Sequence, residues 1–430
     1  MARTKVMVNS DPESILVVLP TWVGDFVMAT PTLRAIRGRF AESRIVFLIE
    51  PNLRDLVRGG DWMDECVEWP AKEFRTPLRR PYRDLVWALR KERFDWAILL
   101  PNSFRSALIA RLGGAVRRFG YDRDGRGFLL TDRLPVKNLR GEQGVASHSD
   151  AEGRDSRVSA QAEACESGVS VKDEDQGGVN SAQAEACGSG DVGARLEIPA
   201  PPGPYLPMRL VEYYADLAEF VGCERPSDRF ELLRTPDCDK SVQQRLDGLG
   251  VADPHPLVVL SPGAKYGAAK CWAPERFAEV ADRLIESENA VVAITCGPGE
   301  EPIAHAIASN MKREGIIFDA PLPTLGELKS LIARSHLLIC NDAGPRHIAK
   351  AFGVPVVTVF GPTHPEWTAT EYEAERIVRI DVDCGPCQER VCPLGHLKCM
   401  TGVTTDMVHA KAKELLDVRL TGSFERVSET

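Results

Sequence analysis

The stretch of residues 337–370 constrains the fold of this chain more than any other. Apolar residues 337–340 are typical of a buried strand, and residues 354–360 are typical of a second one. Between them, residues 341–344 form a predicted turn that leads into a short helix carrying His347. A strand, a loop, a helix and a strand in this order place the loop at the carboxyl edge of a parallel sheet. The stretch therefore predicts an α/β fold with a ligand site at that edge.

The N-terminus of this predicted helix would present free backbone N–H groups and a positive dipole end to an anion or a sugar hydroxyl. Asp342 lies just before it, and its carboxylate accepts hydrogen bonds from hydroxyl groups. A second loop, residues 361–363, ends the following strand on the same edge. Asp342 has an alternative role as the cap of the helix, and the local sequence leaves both roles open.

Strands and helices alternate along most of the chain. Strands are expected at residues 15–20, 45–49, 66–69, 96–100, 118–121, 230–233, 257–260, 290–295 and 316–318, and helices at residues 26–39, 53–58, 82–93, 103–112, 208–221, 274–286, 301–311 and from Thr324 onwards. Such alternation predicts parallel sheets covered by helices. Because both halves open with a strand, a glycine-containing loop and a helix, we expect two Rossmann-like, doubly wound domains, residues 1–236 and 237–430, which face each other across a cleft.

Asp25 follows the first strand, where doubly wound folds place a ligand. Neither half of the chain carries the G-x-G-x-x-G pattern there, so a dehydrogenase is disfavoured. On the local sequence alone, the commoner role for Asp25 is the N-cap of helix 26–39. Further along, Arg105, Arg117 and Arg118 follow the strand at 96–100 and face either a phosphorylated acceptor or simply solvent.

Residues 140–195 contain no Leu, Ile, Met, Phe, Tyr or Trp, and they repeat the heptapeptide SAQAEAC at 159–165 and 181–187. Such a segment cannot bury enough apolar area to offset the entropy of ordering it, so we predict a disordered insertion. It also carries most of the formal net charge of −9, and the charge gives no reason to expect a nucleic-acid partner. No apolar run approaches the length of a membrane span or of a signal-peptide core, so a cytoplasmic protein is expected.

Four of the twelve cysteines are clustered near the C-terminus. Cys384, Cys387, Cys392 and Cys399 follow the spacing C-x2-C-x4-C-x6-C, with His396 between the last two. This is enough sulfur for a structural zinc site, with His396 as an alternative ligand. Reduced thiols in a loop-rich segment or local disulfides are the other interpretations, while the scattered cysteines suit a reducing compartment.

Six motifs in a fixed order carry a family resemblance. They are PTWVGDFVMATPTLRAIR at 20–37, PNSFRSALIARLGG at 101–114, RRFGY at 117–121, SPGAKYGAAKCWAPERFAEVADRL at 261–284, CNDAGPRHIAKAFGVPVVTVFGPTHPEWT at 340–368 and CGPCQERVCPLGHLKCM at 384–400. On these motifs the chain resembles the ADP-heptose–lipopolysaccharide heptosyltransferases, which are inverting GT-B enzymes of glycosyltransferase family 9. The resemblance covers nearly the whole chain except the first residues and the insertion. The forms WVGD, GAAKCW and CGPC…CPLGH are more similar to heptosyltransferase II than to heptosyltransferase I.

The resemblance implies a role for each matching residue. Asp25 matches the general base that takes a proton from the acceptor hydroxyl. Lys270 matches the lysine that binds the donor diphosphate and stabilises the charge on the leaving ADP. The other donor-binding positions are Gly263, Ala264, Glu300 or Glu301, Asp342, Ala343, Gly344 and His347. Because the family usually has threonine where this chain has Ala343, contact with phosphate at that position would be through the backbone alone.

The implied activity is transfer of a heptosyl group from ADP-heptose to the inner core of lipopolysaccharide, with no cofactor required. Since the acceptor is a lipid, we expect a peripheral protein at the inner face of the cytoplasmic membrane. One alternative is a related GT-B transferase with another nucleotide sugar or glycan acceptor. A second is a non-catalytic nucleotide-sugar-binding protein, which predicts loss of the base and is therefore disfavoured by the presence of Asp25.

Overall fold

The computed structural model of the protein describes residues 11–71, 79–136, 208–251 and 255–420. The predicted insertion at 140–195 lies outside these ranges. Among the described helices, none is both long and apolar enough to cross a lipid bilayer.

The N-terminal half is built on a parallel sheet of six strands. These are β1 (Ser14–Val18), β2 (Arg44–Ile49), β3 (Glu65–Glu68), β4 (Trp96–Leu99), β5 (Arg117–Tyr121) and β6 (Asp132–Leu134), in the spatial order β3-β2-β1-β4-β5-β6. Its helices are α1 (Val23–Arg39), α2 (Arg54–Val57), α3 (Arg80–Glu92), α4 (Phe104–Leu112) and α5 (Leu210–Phe220). Because the chain direction across the sheet reverses between β1 and β4, the loops that follow these two strands flank a crevice at the carboxyl edge.

The C-terminal half repeats the same arrangement. Its strands are β7 (Leu257–Ser261), β8 (Val291–Thr295), β9 (Ile316–Phe318), β10 (Leu337–Asn341), β11 (Val356–Val359) and β12 (Glu375–Val378), in the order β12-β11-β10-β7-β8-β9. Its helices are α6 (Pro236–Gly248), α7 (Pro274–Glu288), α8 (Glu301–Asn310), α9 (Leu325–Arg334), α10 (Gly344–Ala351), α11 (Lys398–Thr401) and α12 (Thr405–Leu420). The second switch point lies between β7 and β10, so the predicted fold of two doubly wound halves is confirmed.

Two glycines allow α1 and α10 to approach each other across the cleft. A Cβ added to Gly24 would lie 3.0 Å from Cδ2 of His347, and one added to Gly344 would lie 2.7 Å from Cβ of Val23. Both distances are shorter than ordinary carbon–carbon contacts. One buried apolar cluster continues through this contact from the first half into the second, and it includes Phe26 and Ile348. The N-terminal ends of the two helices therefore meet at the carboxyl edges of both sheets.

The predicted strand at 230–233 is wrong. Phe230 and Leu232 are buried, but this segment forms no sheet ladder. The backbone N–H of Glu231 instead donates to Oγ1 of Thr30 in α1 at 3.1 Å. The alternating apolar pattern therefore arises because an extended segment packs on a helix. The sequence also did not predict β6, β12, α6, α11 or α12, whereas the capping box of α9, formed by Thr324 and Glu327, is confirmed.

Candidate active site

Asp25 lies in the first turn of α1, as its third residue. The N-cap is Trp22, and no side chain makes a capping hydrogen bond, so the alternative role of Asp25 as the helix cap is wrong. Burial raises the pKa of Asp25 to about 6, the positive charge of Lys270 opposes this, and the negative charge of Asp342 adds to it. A carboxylate with this pKa is ionised at neutral pH and accepts a proton more readily than an ordinary aspartate.

Lys270 and Asp342 form a buried ion pair beside Asp25. The ammonium nitrogen of Lys270 lies 2.6 Å from Oδ2 of Asp342 and donates to the backbone carbonyl of Asp342 at 3.2 Å. The Oγ1 hydroxyl of Thr363 also donates to Oδ2, at 2.8 Å. The N-cap of α10 is Ala343, and no side chain caps that helix, so Asp342 does not act as its cap. The carboxylate holds the lysine instead.

A chain of buried charges continues from Asp342 into the C-terminal half. Arg346 is fully buried, and its Nη1 lies 3.4 Å from Oδ1 of Asp342 while its Nε pairs with Glu375. Lys350 lies 2.6 Å from the same glutamate. Burial alone would raise the pKa of Asp342, but the charges of Lys270 and Arg346 outweigh it and hold the pKa below its usual value. Asp342 is therefore ionised and shared between two cations.

His347 is neutral at physiological pH. Burial lowers the pKa of its imidazole well below the usual value, and the charges of Arg346, Lys350 and Lys270 lower it further. The ring packs against Gly24 of the opposite half, and its Nδ1 is buried without a hydrogen-bond partner among the described residues. Such an orphaned polar atom in a cleft is a candidate contact for a bound ligand.

The loop after β7 carries the predicted donor-binding residues Gly263 and Ala264. Gly263 leaves space for the carboxylate of Glu300, which would collide with a Cβ at this position. The same carboxylate accepts a hydrogen bond from the backbone N–H of Gly297 at 2.9 Å. Glu301 is the first residue of α8 instead. Of the two glutamates, Glu300 is thus the one that packs against the loop after β7.

Sequence reasoning missed two buried residues that shape these loops. The side-chain amide of Asn341 donates to the Pro262 carbonyl at 2.5 Å, and its Oδ1 accepts from the Trp272 backbone at 3.2 Å. It therefore holds both ends of the loop that bears Lys270. In the N-terminal half, the buried guanidinium of Arg126 binds the carbonyls of Tyr121, Pro101 and Ser103 and so fixes the loop after β4. The only sequence signal for Asn341 was its position at the end of a buried strand.

Arg118, a predicted acceptor-binding residue, lies elsewhere. It occupies the amino end of β5, opposite the carboxyl edge that carries Asp25. Its guanidinium donates to the carbonyls of Leu129 at 2.7 Å and Ala115 at 2.6 Å, which is a structural use. Arg105 lies in the first turn of α4, on the correct edge, with its guanidinium 5.2 Å from the ring centroid of Trp69.

The cysteine-rich segment supports the loop that carries Lys270. The backbone N–H of Ala269 donates to the carbonyl of Arg390 at 3.0 Å, and the hydroxyl of Tyr266 donates to the carbonyl of Gln388. Gly267 faces the Arg390 backbone so closely that a side chain there would collide with it. The position of Lys270 therefore depends on this segment.

The four clustered cysteines are free thiols that line one cavity of about 20 Å³ together with His396. No disulfide joins them. Within the part of the chain that the structure describes, no three histidine, cysteine or carboxylate side chains are grouped as ligands of one metal ion. The arrangement thus does not fit a bound ion as it stands, and the structural zinc site stays a prediction.

Two doubly wound halves that meet at their carboxyl edges, with Asp25 in the first turn of α1 and the Lys270–Asp342 pair beside the N-terminus of α10, have the GT-B architecture. The model of Glycosyltransferase family 9 (heptosyltransferase) matches residues 82–151 and 204–398, and the chain belongs to this family. The predicted family and enzyme class are confirmed.

Several named relatives align along almost the entire chain, and another aligns along a shorter part of it. Lipopolysaccharide heptosyltransferase 2 of Escherichia coli strain K12 is 23% identical over 408 residues, which cover 94% of this chain and 98% of that protein. Lipooligosaccharide heptosyltransferase 2 of Haemophilus influenzae is 26% identical over 407 residues, with coverage of 94% and 99%. Lipooligosaccharide heptosyltransferase 2 of Campylobacter jejuni is 34% identical, but over 163 residues that cover 37% of this chain and 51% of that protein.

Solved structures share the fold. ADP-heptose lipopolysaccharide heptosyltransferase II of E. coli superimposes with a TM-score of 0.65 at 20% identity and covers 94% of this chain and 98% of its own. A family 9 glycosyltransferase from Veillonella parvula gives a TM-score of 0.66 at 18% identity, with coverage of 94% and 97%.

Proposed function

We propose that this protein transfers a heptosyl group from ADP-L-glycero-D-manno-heptose to the inner core of lipopolysaccharide, as enzymes of the heptosyltransferase II type do. The observation that carries the proposal is the placement of Asp25, with its raised pKa, opposite the Lys270–Asp342 pair. A proton acceptor and a cation for a diphosphate then lie on opposite sides of one cleft. Membership of family 9 and the full-length relatives named heptosyltransferase 2 support the choice of substrates.

The reaction is a single displacement. Asp25 takes the proton of an acceptor hydroxyl while the hydroxyl oxygen forms a bond to the anomeric carbon of the heptose. On the opposite face, the bond from that carbon to the phosphate oxygen breaks, and the electron pair leaves with ADP. This geometry inverts the anomeric configuration.

The departing diphosphate needs positive charge. Lys270 and the N-terminus of α10, which begins at Gly344, supply it together. Glu300 would bind the ribose hydroxyls, and the buried Nδ1 of His347 would contact the donor. Because the Arg346 side chain stays on Asp342, Lys270 can turn towards phosphate without leaving that carboxylate unpaired.

The acceptor is a glycolipid, so the enzyme would act at a bilayer surface, on the cytoplasmic face where nucleotide sugars are available. Asp25 makes the transfer independent of a metal ion, because a side chain supplies the base and Lys270 supplies the positive charge.

Mass spectrometry of the product tests the proposal. The purified protein is incubated with ADP-heptose and with lipopolysaccharide acceptors that carry no heptose, one heptose or two heptoses. We expect a mass increase of one heptosyl group on the acceptor that already carries one. Activity with another nucleotide sugar alone would indicate a related transferase, and donor binding without any product would indicate a non-catalytic binding protein.

A further inference from the structure

One side of α3 carries basic residues around an exposed tryptophan. Tyr82 and Leu89 point inwards and are buried, whereas Arg83, Trp87 and Arg90 lie on the opposite side of the helix at helical spacing. The Trp87 side chain is 60% exposed. The ammonium nitrogen of Lys91 lies 3.4 Å from the centroid of the Trp87 ring, so this side of α3 combines a largely exposed aromatic ring with several cations.

Two further exposed aromatic residues continue this face across α4. Phe104, at the start of α4, is 42% exposed, and Phe128, in a short 3-10 turn, is 61% exposed. Their ring centroids are 5.9 Å apart. Arg111 donates to the carbonyl of Phe128 at 3.3 Å, and Leu112 at the end of α4 lines an open groove with Trp87. The α3–α4 face is therefore one surface, formed by Arg83, Trp87, Arg90, Phe104, Arg111 and Phe128.

We propose that the α3–α4 face docks on a bilayer that contains anionic phospholipids. The groove beside Trp87 is lined by Arg80, Arg83 and Arg90 and by one acidic residue, Asp84, whereas the whole chain has a net charge of −9. An anionic surface would therefore attract this side of the molecule more strongly than the rest, which favours one orientation of the protein. Tryptophan and phenylalanine partition into the boundary between headgroups and acyl chains, while arginine binds the phosphates.

The position of the face relative to the cleft fits a lipid-linked acceptor, so this step rests on the proposed function. Phe104 directly follows the loop after β4, on the same carboxyl edge as the loop after β1, which carries Asp25. Trp22, the exposed N-cap of α1, lies on that edge as well. A protein docked through the α3–α4 face would hold the mouth of its cleft beside the headgroups, where the acceptor sugars are.

Vesicle co-sedimentation of the full-length protein tests the docking. We expect binding to vesicles of phosphatidylglycerol mixed with phosphatidylethanolamine, no binding to phosphatidylcholine vesicles, and weaker binding at high salt. Reversing two charges in Arg83→Glu/Arg90→Glu should lower the affinity for anionic vesicles by about tenfold or more, and Trp87→Ser/Phe128→Ser should lower it by roughly fivefold.

Matched variants on the other half serve as controls. Lys240→Glu/Lys312→Glu makes the same change in net charge on two exposed lysines, and Leu249→Ser removes an exposed apolar side chain. Both controls should bind vesicles as the wild type does. If they lose binding as strongly as the face variants do, or if the wild type does not bind anionic vesicles, the proposal is overturned; an acidic protein would then be the better partner for this face.

A second measurement separates docking from chemistry. The face variants should transfer heptose to a delipidated core oligosaccharide at the wild-type rate, because that acceptor needs no membrane. Folded variants that lose this activity would show that the face binds acceptor sugar, which overturns the docking proposal. Vesicle binding by a protein that transfers no heptose would contradict the proposed function and leave the docking intact.

Discussion

The ammonium nitrogen of Lys270 lies 2.6 Å from Oδ2 of Asp342, and this carboxylate is also 3.4 Å from Nη1 of Arg346. The Asp342 carboxylate thus pairs with two cations, which differ in how firmly their side chains are held in place. Arg346 is locked by Glu375 and is fully buried, whereas Lys270 sits at the end of a short 3-10 turn that faces the cleft. Lys270 is therefore the cation that can pair with a bound diphosphate as well as with Asp342.

Replacing Lys270 should impair both donor binding and turnover. Lys270→Ala removes a cation that meets the diphosphate before and during its departure, so the donor Kd should rise and kcat should fall. We expect each to change by about tenfold to a hundredfold, measured by calorimetric titration with ADP and by steady-state kinetics. Lys240→Ala, at an exposed lysine, is the control. An unchanged Kd for ADP would show that Lys270 serves only to neutralise Asp342.

The close contact between α1 and α10 should depend on Gly24. Gly24→Ala places a methyl group 3.0 Å from Cδ2 of the His347 ring, so the ring or one of the two helices must shift by a few tenths of an ångström. We expect the free energy of unfolding to fall by about 1–3 kcal/mol. We also expect kcat to fall by more than this loss of stability explains, because the shift moves Asp25 away from Lys270. Gly38→Ala in the same helix is the matched control, since nothing lies within 4 Å of its added Cβ.

That control should be neutral or stabilising, as alanine favours a helix over glycine by roughly 1 kcal/mol. Urea unfolding and kinetics on both variants measure the two effects. Equal behaviour of Gly24→Ala and Gly38→Ala would mean that the cleft is wider than the structure shows.

The fold followed from short-range patterns in the sequence. Buried parallel strands are continuous apolar runs, and β7 and β10 were predicted to within one residue because both of their faces are covered. The strand β12, in contrast, has two charged residues among its four and one buried position, so no pattern marks it. Its place beside β11 is decided by tertiary pairing.

Ion pairs between residues that lie far apart in the sequence could not be predicted from it. Arg346 and Lys350 resemble a solvated basic face in the sequence, yet both are buried because Glu375, more than twenty residues later, neutralises them. No local spacing reports that pairing. The candidate residues themselves were found through the family resemblance, and the structure added that Asp25 and Asp342 are charged groups of the cleft with no capping role.

Chelation tests the cysteine-rich segment. Treatment with a chelator should leave turnover unchanged, because Asp25 and Lys270 provide the base and the positive charge. Elemental analysis showing one zinc ion per chain would support a structural site at Cys384, Cys387 and their neighbours. If activity disappears and returns only with an added divalent metal, the metal-independent mechanism is wrong.

The raised pKa of Asp25 predicts an acid limb in the pH profile. Turnover should fall about tenfold per pH unit below about pH 6, where Asp25 becomes protonated, whereas an ordinary aspartate would stay active to about pH 4. The folded state binds this proton more tightly than the unfolded state does. The stability that the protonated Asp25 contributes to the folded state is therefore fully present below about pH 4 and is lost as the pH rises through about 6. Asp25→Asn should accordingly raise Tm at about pH 8 and leave it nearly unchanged at about pH 4.

Single-turnover kinetics of Asp25→Asn, beside calorimetric titration with ADP-heptose, test the central claim most directly. The amide keeps the shape of the side chain and removes the proton acceptor, so the rate of heptosyl transfer should fall by about 10²–10⁴-fold with a near-native donor Kd. Asp61→Asn, at an exposed aspartate of the same half, should react as the wild type does. A folded Asp25→Asn protein that transfers heptose at the wild-type rate would contradict the account, because another residue would then be the base.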